Sequence, residues 1–162
     1  MISVVDRELL NKIYLEFKAK NLTIATAESC TGGLIGHTLT NIAGISDYYD
    51  RGIISYSNIS KIELLDVSKE LLIKYGAVSR EVAREMSEGI RKKSGVDIGL
   101  STTGIAGPSG GTKEKPVGLV YIAISNKKET IIKKFNFTGN RLDIKNKTCI
   151  ASLKMLYKIL SD

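Results

Sequence analysis

The sequence has few of the residues on which several protein classes depend. Its 162 residues include two cysteines, two prolines, one histidine and no tryptophan. Cys30 and Cys149 are too few for a disulfide framework or a cysteine-rich metal site, and we interpret both as small buried hydrophobic residues. His37 has no second histidine at metal-ligand spacing, so the sequence predicts no metal site there.

Long apolar runs are lacking as well. No stretch approaches the roughly 18 apolar residues that cross a bilayer, and residues 1–10 do not resemble a secretion signal. We therefore expect a cytoplasmic protein with no membrane partner. With 43% hydrophobic and 25% charged residues, the composition excludes collagen, low-complexity disorder and coiled coil. It predicts a single domain over residues 1–162.

Positive charge is concentrated towards the C-terminus. Residues 127–162 hold nine lysine and arginine side chains against three aspartate and glutamate side chains, which accounts for +6 of the net charge of +7. This skew favours an anionic ligand or partner. Because no nucleic-acid-binding signature accompanies it and exposed lysines commonly serve solubility, we favour a solvated face over a nucleic-acid surface.

Hydrophobic periodicity predicts strands that alternate with helices. Helices are expected at residues 3–20, from 34 to Gly44, and at 68–75, 79–94 and 142–160, with Ser3, Ser68 and Ser79 as N-caps. Strands are expected at residues 23–27, 53–56, 97–103, 117–125 and 130–137, the last two forming a hairpin. This order favours a three-layer α/β domain whose sheet is mostly parallel with one antiparallel strand.

Polar and glycine-rich segments follow three of these strands. They are residues 29–33, 56–61 and 103–111. Ligands of open α/β sheets bind at the C-terminal ends of the parallel strands, where loops and helix N-termini converge. The three segments therefore predict one site at that edge of the sheet.

The first segment offers a hydroxyl where a strand turns into a helix. Free backbone N–H groups at such a turn favour an oxyanion or a phosphate. Ser29 or Thr31 could equally serve only as a helix cap, with Gly32 and Gly33 allowing the tight turn. Cys30 is a conceivable nucleophile, but it lacks a paired histidine as base.

The other two segments are ambiguous in the same way. Lys61 can act as a general base only if burial or a nearby cation lowers its pKa, and most lysines in a lysine-rich chain are solvated. The loop at residues 104–112 could cradle an anion with its backbone amides or simply be flexible.

Five motifs together resemble the CinA C-terminal domain family. They are AESCTGG at residues 27–33, YSN with Lys61 at 56–61, GAVS at 76–79, GIAGP at 104–108 and KPVG at 115–118. The resemblance runs from about Leu9 to Leu160 and implies a three-layer α/β/α sandwich with a mixed five-stranded sheet. Stand-alone members are nicotinamide-nucleotide amidohydrolases. It therefore implies hydrolysis of nicotinamide mononucleotide to nicotinate mononucleotide and ammonia, without metal or cofactor, in pyridine-nucleotide salvage.

The same resemblance implies a role for each site residue. Ser29 is the expected nucleophile, activated by Lys61 through a relay that includes Tyr56, while Thr103 and Arg141 position the substrate. The remaining expected substrate-binding residues are Cys30, Thr31, Gly32, Gly33, Gly104 and Gly107. Backbone amides of residues 30–33 are expected to hold the oxyanion. Arg141 and the backbone amides of residues 104–111 are expected to bind the 5′-phosphate.

Two other interpretations remain open. A nucleotide-binding module without chemistry would use the same serine and glycines only to bind phosphate. A nucleic-acid-associated protein is suggested by the basic C-terminal region and by the family's competence-linked name. Longer family members carry an N-terminal domain that this sequence does not contain, so activities tied to it are not transferred. A homo-oligomer, a dimer or larger, is expected for a domain of this size.

Overall fold

Helices and strands alternate along residues 6–162, the part of the chain that the computed structural model describes. In chain order they are α1 (Arg7–Lys20), β1 (Ile24–Glu28), α2 (Leu34–Thr40), a 3-10 turn (Ile45–Asp47), β2 (Tyr49–Ile54), α3 (Asn58–Leu65), α4 (Lys69–Tyr75), α5 (Arg80–Ser94), β3 (Ile98–Gly104), β4 (Leu119–Ser125), β5 (Thr130–Asn136) and α6 (Arg141–Ser161). None of these helices is long and apolar enough to cross a membrane.

The strands form one mixed sheet in the order β2-β1-β3-β4-β5. β1 pairs in parallel with both β2 and β3, whereas β4 is antiparallel to β3 and to β5. β4 therefore runs against the other four strands. The predicted mixed five-stranded sheet with one antiparallel strand is confirmed.

Helices cover both faces of the sheet, so the three-layer α/β/α arrangement is also confirmed. Because side chains alternate along a strand, Ile24 of β1 faces one core while Ala25 and Ala27 face the other. The first core contains residues of α1, α2 and α6, namely Ile13, Phe17, Ile35, Leu39, Leu153 and Leu156. The second contains residues of α3, α4 and α5, namely Leu65, Leu72, Val82, Met86 and Ile90.

Small residues let α5 approach its neighbours very closely. A Cβ atom at Gly99 of β3 would lie 2.0 Å from the Ser87 carbonyl oxygen of α5. A Cβ atom at Gly89 of α5 would lie 2.0 Å from the carbonyl oxygen of Leu65, the last residue of α3. Both distances are far inside van der Waals contact, so only glycine fits at either position.

The termini of several elements agree with the sequence. Ser68 and Ser79 are the N-caps of α4 and α5, each accepting a hydrogen bond from a backbone N–H two or three residues into its helix. The predicted hairpin and terminal helix are present with slightly different bounds. α1 begins at Arg7 with Asp6 as its N-cap, and the predicted cap Ser3 lies outside the described residues.

Two expected bounds were wrong, and one helix was missed. β2 begins at Tyr49, four residues before the predicted strand, and it is a largely exposed edge strand without a clear apolar pattern. α2 ends at Thr40 rather than at Gly44. α3 was not predicted, because its lysine faces the interior while Ile59 and Leu64 are exposed, which reverses the usual amphipathic pattern.

Candidate active site

A cavity of about 260 Å³ opens where β1, β2 and β3 end. Its walls come from all three predicted segments and from the start of α6. Eight of the predicted site residues line it, namely Ser29, Cys30, Tyr56, Lys61, Thr103, Gly104, Gly107 and Arg141. The expected convergence of these segments is thus present, and residues 77–78 form a further part of the wall.

Lys61 and Ser29 meet at the floor of this cavity. The Lys61 Nζ atom lies 3.1 Å from Ser29 Oγ, and the lysine side chain is 1% exposed. α3 carries the lysine inward because Ser57 and Ser60 form a capping box that starts the helix just after β2. Burial lowers the pKa of Lys61 from 10.5 to about 8.

Two backbone carbonyls fix the direction of this amine. Lys61 Nζ donates to the carbonyl oxygens of Ser55 at 2.8 Å and Tyr56 at 3.3 Å. A neutral amine has two N–H groups and one lone pair. When both N–H groups point at the carbonyls, the lone pair is left for the hydroxyl of Ser29. The contacts that bury the amine therefore also aim it.

The Tyr56 side chain points away from this pair. Its hydroxyl oxygen accepts a hydrogen bond from Arg141 Nη2 at 2.7 Å, and the residue is 58% exposed. Tyr56 lies between the end of β2 and the Ser57 cap, so its carbonyl faces Lys61 while its ring faces the cavity mouth. Lys61 contacts Ser29 directly, and the hydrogen bond of the Tyr56 phenol is to Arg141, so the expected relay through this phenol stays a prediction without a contact that supports it.

Arg141 spans the mouth of the cavity. It is the first residue of α6, whose start is set by a capping box between Asn140 and Asp143. Its Nη1 atom donates to the Gly107 carbonyl oxygen at 2.8 Å while Nη2 holds Tyr56. A guanidinium has five N–H donors, so donors remain for an anionic ligand.

Thr103 is placed in the wall of the cavity. Its hydroxyl donates to the Ala77 carbonyl oxygen at 2.8 Å, and the residue is 1% exposed. Lys115 Nζ donates to the nearby Tyr75 carbonyl oxygen. Both bonds tie the segment after α4 to the end of β3 and its loop, and so hold one side of the cavity in place.

The Glu28 carboxylate occupies the N-terminus of α2, a role that the sequence interpretation missed. Its oxygens accept hydrogen bonds from the backbone N–H groups of Gly33, Ile35 and Gly36 at 3.0, 3.1 and 2.8 Å. A carboxylate is a favoured partner for helix N-terminal N–H groups. The corresponding feature of the sequence is an acidic residue at the end of a strand, five residues before the glycine that caps the next helix.

This cap corrects the expected role of residues 31–33. None of the three lines the cavity. The Gly33 N–H is bonded to Glu28, the Gly32 N–H donates to the Ser29 carbonyl oxygen, and the Thr31 hydroxyl is hydrogen-bonded to Thr102. Of the residues at this turn expected to supply oxyanion donors, Cys30 is the one that lines the cavity.

Replacing Glu28 with glutamine is expected to destabilise the fold. The amide has one acceptor oxygen and an NH₂ group that would oppose a backbone N–H, so at least one donor is left unpaired. We expect a loss of about 2 kcal/mol in the free energy of unfolding and a Tm lower by about 5 °C, measured by thermal denaturation. Glu8→Gln, in an exposed pair with Lys12, is the control. Equal melting of both variants would contradict the capping role.

The cysteines and acidic residues offer no competing chemistry. Burial raises the pKa of the Cys30 thiol to about 12 and that of Cys149 to about 11, so both thiols stay protonated at neutral pH. Within residues 6–162 there is no group of three or more His, Cys, Asp or Glu side chains that could hold a metal ion. Ser29 and Lys61 are therefore the candidate reactive pair of this cavity.

Comparison with known sequences shows the family of this chain. The sequence model of the CinA C-terminal domain matches residues 6–160. The chain belongs to the CinA C-terminal domain family. A competence-damage inducible protein of Clostridium botulinum is 56% identical over 141 residues, which cover 87% of this chain and 34% of that protein. A CinA-like protein of Kosmotoga olearia is 49% identical over 96% of this chain and 38% of its own length. The chain thus spans about a third of the length of the curated relatives it matches.

Solved structures of the CinA family share the whole fold. The competence/damage inducible protein CihA of Agrobacterium tumefaciens superposes with a TM-score of 0.94 at 38% identity, covering 100% of this chain and 99% of that one. The competence damage-inducible protein A of Klebsiella pneumoniae has a TM-score of 0.92 at 33% identity, with 95% and 96% coverage. The mixed sheet and its helices are therefore those of the CinA family.

Proposed function

We propose that this cavity hydrolyses the carboxamide of nicotinamide mononucleotide to nicotinate mononucleotide and ammonia. The observation that carries the reaction type is the buried Lys61 amine 3.1 Å from Ser29 Oγ. A serine becomes a nucleophile when a neighbouring base takes its proton, and an amine with a pKa of about 8 is such a base near neutral pH. The substrate is inferred from the resemblance to stand-alone members of the family.

The first half of the reaction forms an acyl-enzyme. Neutral Lys61 takes the proton of Ser29 Oγ as that oxygen attacks the amide carbon, and the negative charge moves to the carbonyl oxygen. The backbone N–H group of Cys30, which lines the cavity, is the proposed donor to this oxyanion, worth about 3 kcal/mol if well placed. The tetrahedral intermediate then breaks its C–N bond, Lys61 returns the proton to the leaving nitrogen, and ammonia departs.

The second half restores the enzyme. A water molecule attacks the acyl carbon while Lys61 takes one of its protons. The ester bond to Ser29 Oγ breaks, and the lysine returns that proton to the serine oxygen. The product is a carboxylic acid, which loses its proton to solvent and leaves as a carboxylate, and each proton taken by Lys61 is given back within the cycle. One amine therefore acts as base and acid in turn, with the Ser55 and Tyr56 carbonyls as its fixed partners.

The 5′-phosphate is proposed to bind at the mouth of the cavity. The unused N–H groups of Arg141 and the backbone N–H groups of the loop after β3, among residues 106–111 apart from Pro108, are the candidate donors. The N-terminus of α2 is not a candidate, because the Glu28 carboxylate already occupies its N–H groups. The phosphate is therefore expected beside α6 rather than at the serine turn.

A coupled ammonia assay tests this function. The purified protein is incubated with nicotinamide mononucleotide, with and without a metal chelator, and ammonia and nicotinate mononucleotide are quantified. We expect equal amounts of the two products and no effect of the chelator. Binding of nicotinamide mononucleotide without ammonia release would instead favour the module that binds nucleotides without chemistry.

A further inference from the structure

We propose that the Tyr56 ring is the surface on which the pyridine ring of the substrate packs, and that the Tyr56 hydroxyl orients this ring rather than carrying protons. This inference rests on the proposed function, because it assigns the part of the site that recognises the aromatic half of the substrate. It changes the expected role of Tyr56 from a proton relay to a determinant of substrate specificity.

The hydrogen-bond partners of the Lys61 amine do not include the Tyr56 phenol. The three groups around Lys61 Nζ are the Ser29 hydroxyl, the Ser55 carbonyl and the Tyr56 carbonyl. The contribution of Tyr56 to the amine is thus a main-chain oxygen, which any residue at this position would supply. A requirement for tyrosine at position 56 must come from the side chain, which lies elsewhere.

The side chain of Tyr56 has the position expected of a ligand platform. It lines the cavity yet is 58% exposed. Planar rings gain by stacking on aromatic side chains, and the effect of removing such a contact is typically about tenfold or more in affinity. An exposed aromatic ring beside a reactive serine therefore suits a substrate whose scissile amide is attached to an aromatic ring.

Arg141 gives this ring a fixed orientation. Its Nη2 atom holds the phenol oxygen at 2.7 Å, while its Nη1 atom is held by the Gly107 carbonyl oxygen at 2.8 Å. A tethered ring loses less conformational entropy when a ligand packs against it than a free one does. The same guanidinium thus orients the aromatic platform and presents its remaining donors to the phosphate, which places the two ends of a nucleotide on neighbouring residues.

Two ligands separate the ring contact from the phosphate contact. Nicotinamide mononucleotide carries both groups, whereas ribose 5-phosphate carries the phosphate without the aromatic ring. Binding of each is measured by calorimetry to proteins that carry Ser29→Ala, so that no turnover occurs, together with either Tyr56→Leu or Tyr56→Phe. Because the side chain is largely exposed, both variants are expected to fold, and circular dichroism checks this.

The expected result is a selective loss. Tyr56→Leu lowers the affinity for nicotinamide mononucleotide about tenfold and changes the affinity for ribose 5-phosphate by less than about twofold. Tyr56→Phe changes both affinities by less than about threefold. In the enzyme with Ser29 intact, Tyr56→Phe keeps the wild-type pH profile of kcat, while Tyr56→Leu mainly raises KM.

Two results would overturn the proposal. One is equal weakening of both ligands by Tyr56→Leu, which would mean that Tyr56 acts only through Arg141. The other is a loss of kcat above about a hundredfold in Tyr56→Phe with an altered pH profile, which would restore the relay. Absence of ammonia release from the unmodified protein would remove the proposed function, but the calorimetric comparison would still decide whether Tyr56 holds the ring.

Discussion

Replacing Ser29 with alanine is expected to lower kcat for ammonia release by at least about 10⁴-fold while the affinity for nicotinamide mononucleotide stays within a few-fold. The variant removes the atom that Lys61 Nζ contacts at 3.1 Å, and loss of a nucleophile typically has effects of this size. Affinity is preserved because the proposed phosphate and ring contacts lie at Arg141 and Tyr56. Ammonia release measures the first quantity and calorimetry the second.

A matched control uses a serine remote from the cavity. Ser94, the last residue of α5, is a half-buried serine whose hydroxyl is buried without a hydrogen-bond partner among residues 6–162. Ser94→Ala should therefore leave kcat and KM unchanged. If Ser29→Ala keeps wild-type kcat, the covalent mechanism is wrong, and a direct attack of water would have to replace it.

Replacing Lys61 with methionine is expected to lower kcat about as much as Ser29→Ala does. It is also expected to abolish the pH dependence of the rate that comes from a group with a pKa of about 8. In the unmodified enzyme kcat/KM rises about tenfold per pH unit below that pKa, because only the neutral amine can accept the serine proton, and it levels off above it. The measurement is a pH series of initial rates for both proteins. A wild-type profile that is flat between pH 6 and 9 would contradict the role of Lys61 as base.

Burial of Lys61 also makes the free energy of unfolding of the wild type depend on pH, and Lys61→Met removes this dependence. The folded protein holds the Lys61 proton only up to about pH 8, whereas the unfolded chain holds it up to 10.5. Stability therefore rises with pH through this window, and below pH 8 the full penalty of the buried charge applies. Relative to Lys61→Met, the free energy of unfolding of the wild type should increase by about 3 kcal/mol from pH 8 to 10.5.

Denaturant unfolding of both proteins across that window measures this difference. The comparison cancels the titration of tyrosines and cysteines that both proteins share. Lys69→Met, at the exposed start of α4, is the control and should show no such trend. If the wild type and Lys61→Met keep a constant difference from pH 8 to 10.5, the amine has an ordinary pKa and the environment assigned to it is wrong.

The sequence was sufficient for the fold and for the location of the cavity. Strand and helix patterns follow from burial, and the central strands β1 and β3 are buried along nearly their whole length. Because ligands of open α/β sheets bind at the C-terminal ends of the parallel strands, the sequence predicted that residues 29–33, 56–61 and 103–111 lie at one site. Edge strand β2 was the weak point, because an exposed strand has no strong apolar pattern to detect.

The orientation of individual side chains at the site was not predictable in the same way. Hydropathy predicts that a lysine faces water, yet Lys61 is buried and Ile59 is 65% exposed. The direction of the Tyr56 ring depends on Arg141, which is 85 residues away in the chain. The Glu28 cap depends on the position of the start of α2 relative to the end of β1. Such contacts are set by tertiary packing, which local sequence patterns do not record.

The close contact between α5 and α3 makes the position of the Lys61 amine depend on Gly89, a residue outside the cavity. The Gly89 position leaves no room for a methyl group beside the Leu65 carbonyl, and Leu65 stands one helical turn after Lys61. Any larger residue at 89 would push the end of α3 outward and swing the amine away from its alcohol partner. Selection for catalysis would then also act on the contact between α5 and α3, which lies outside the cavity.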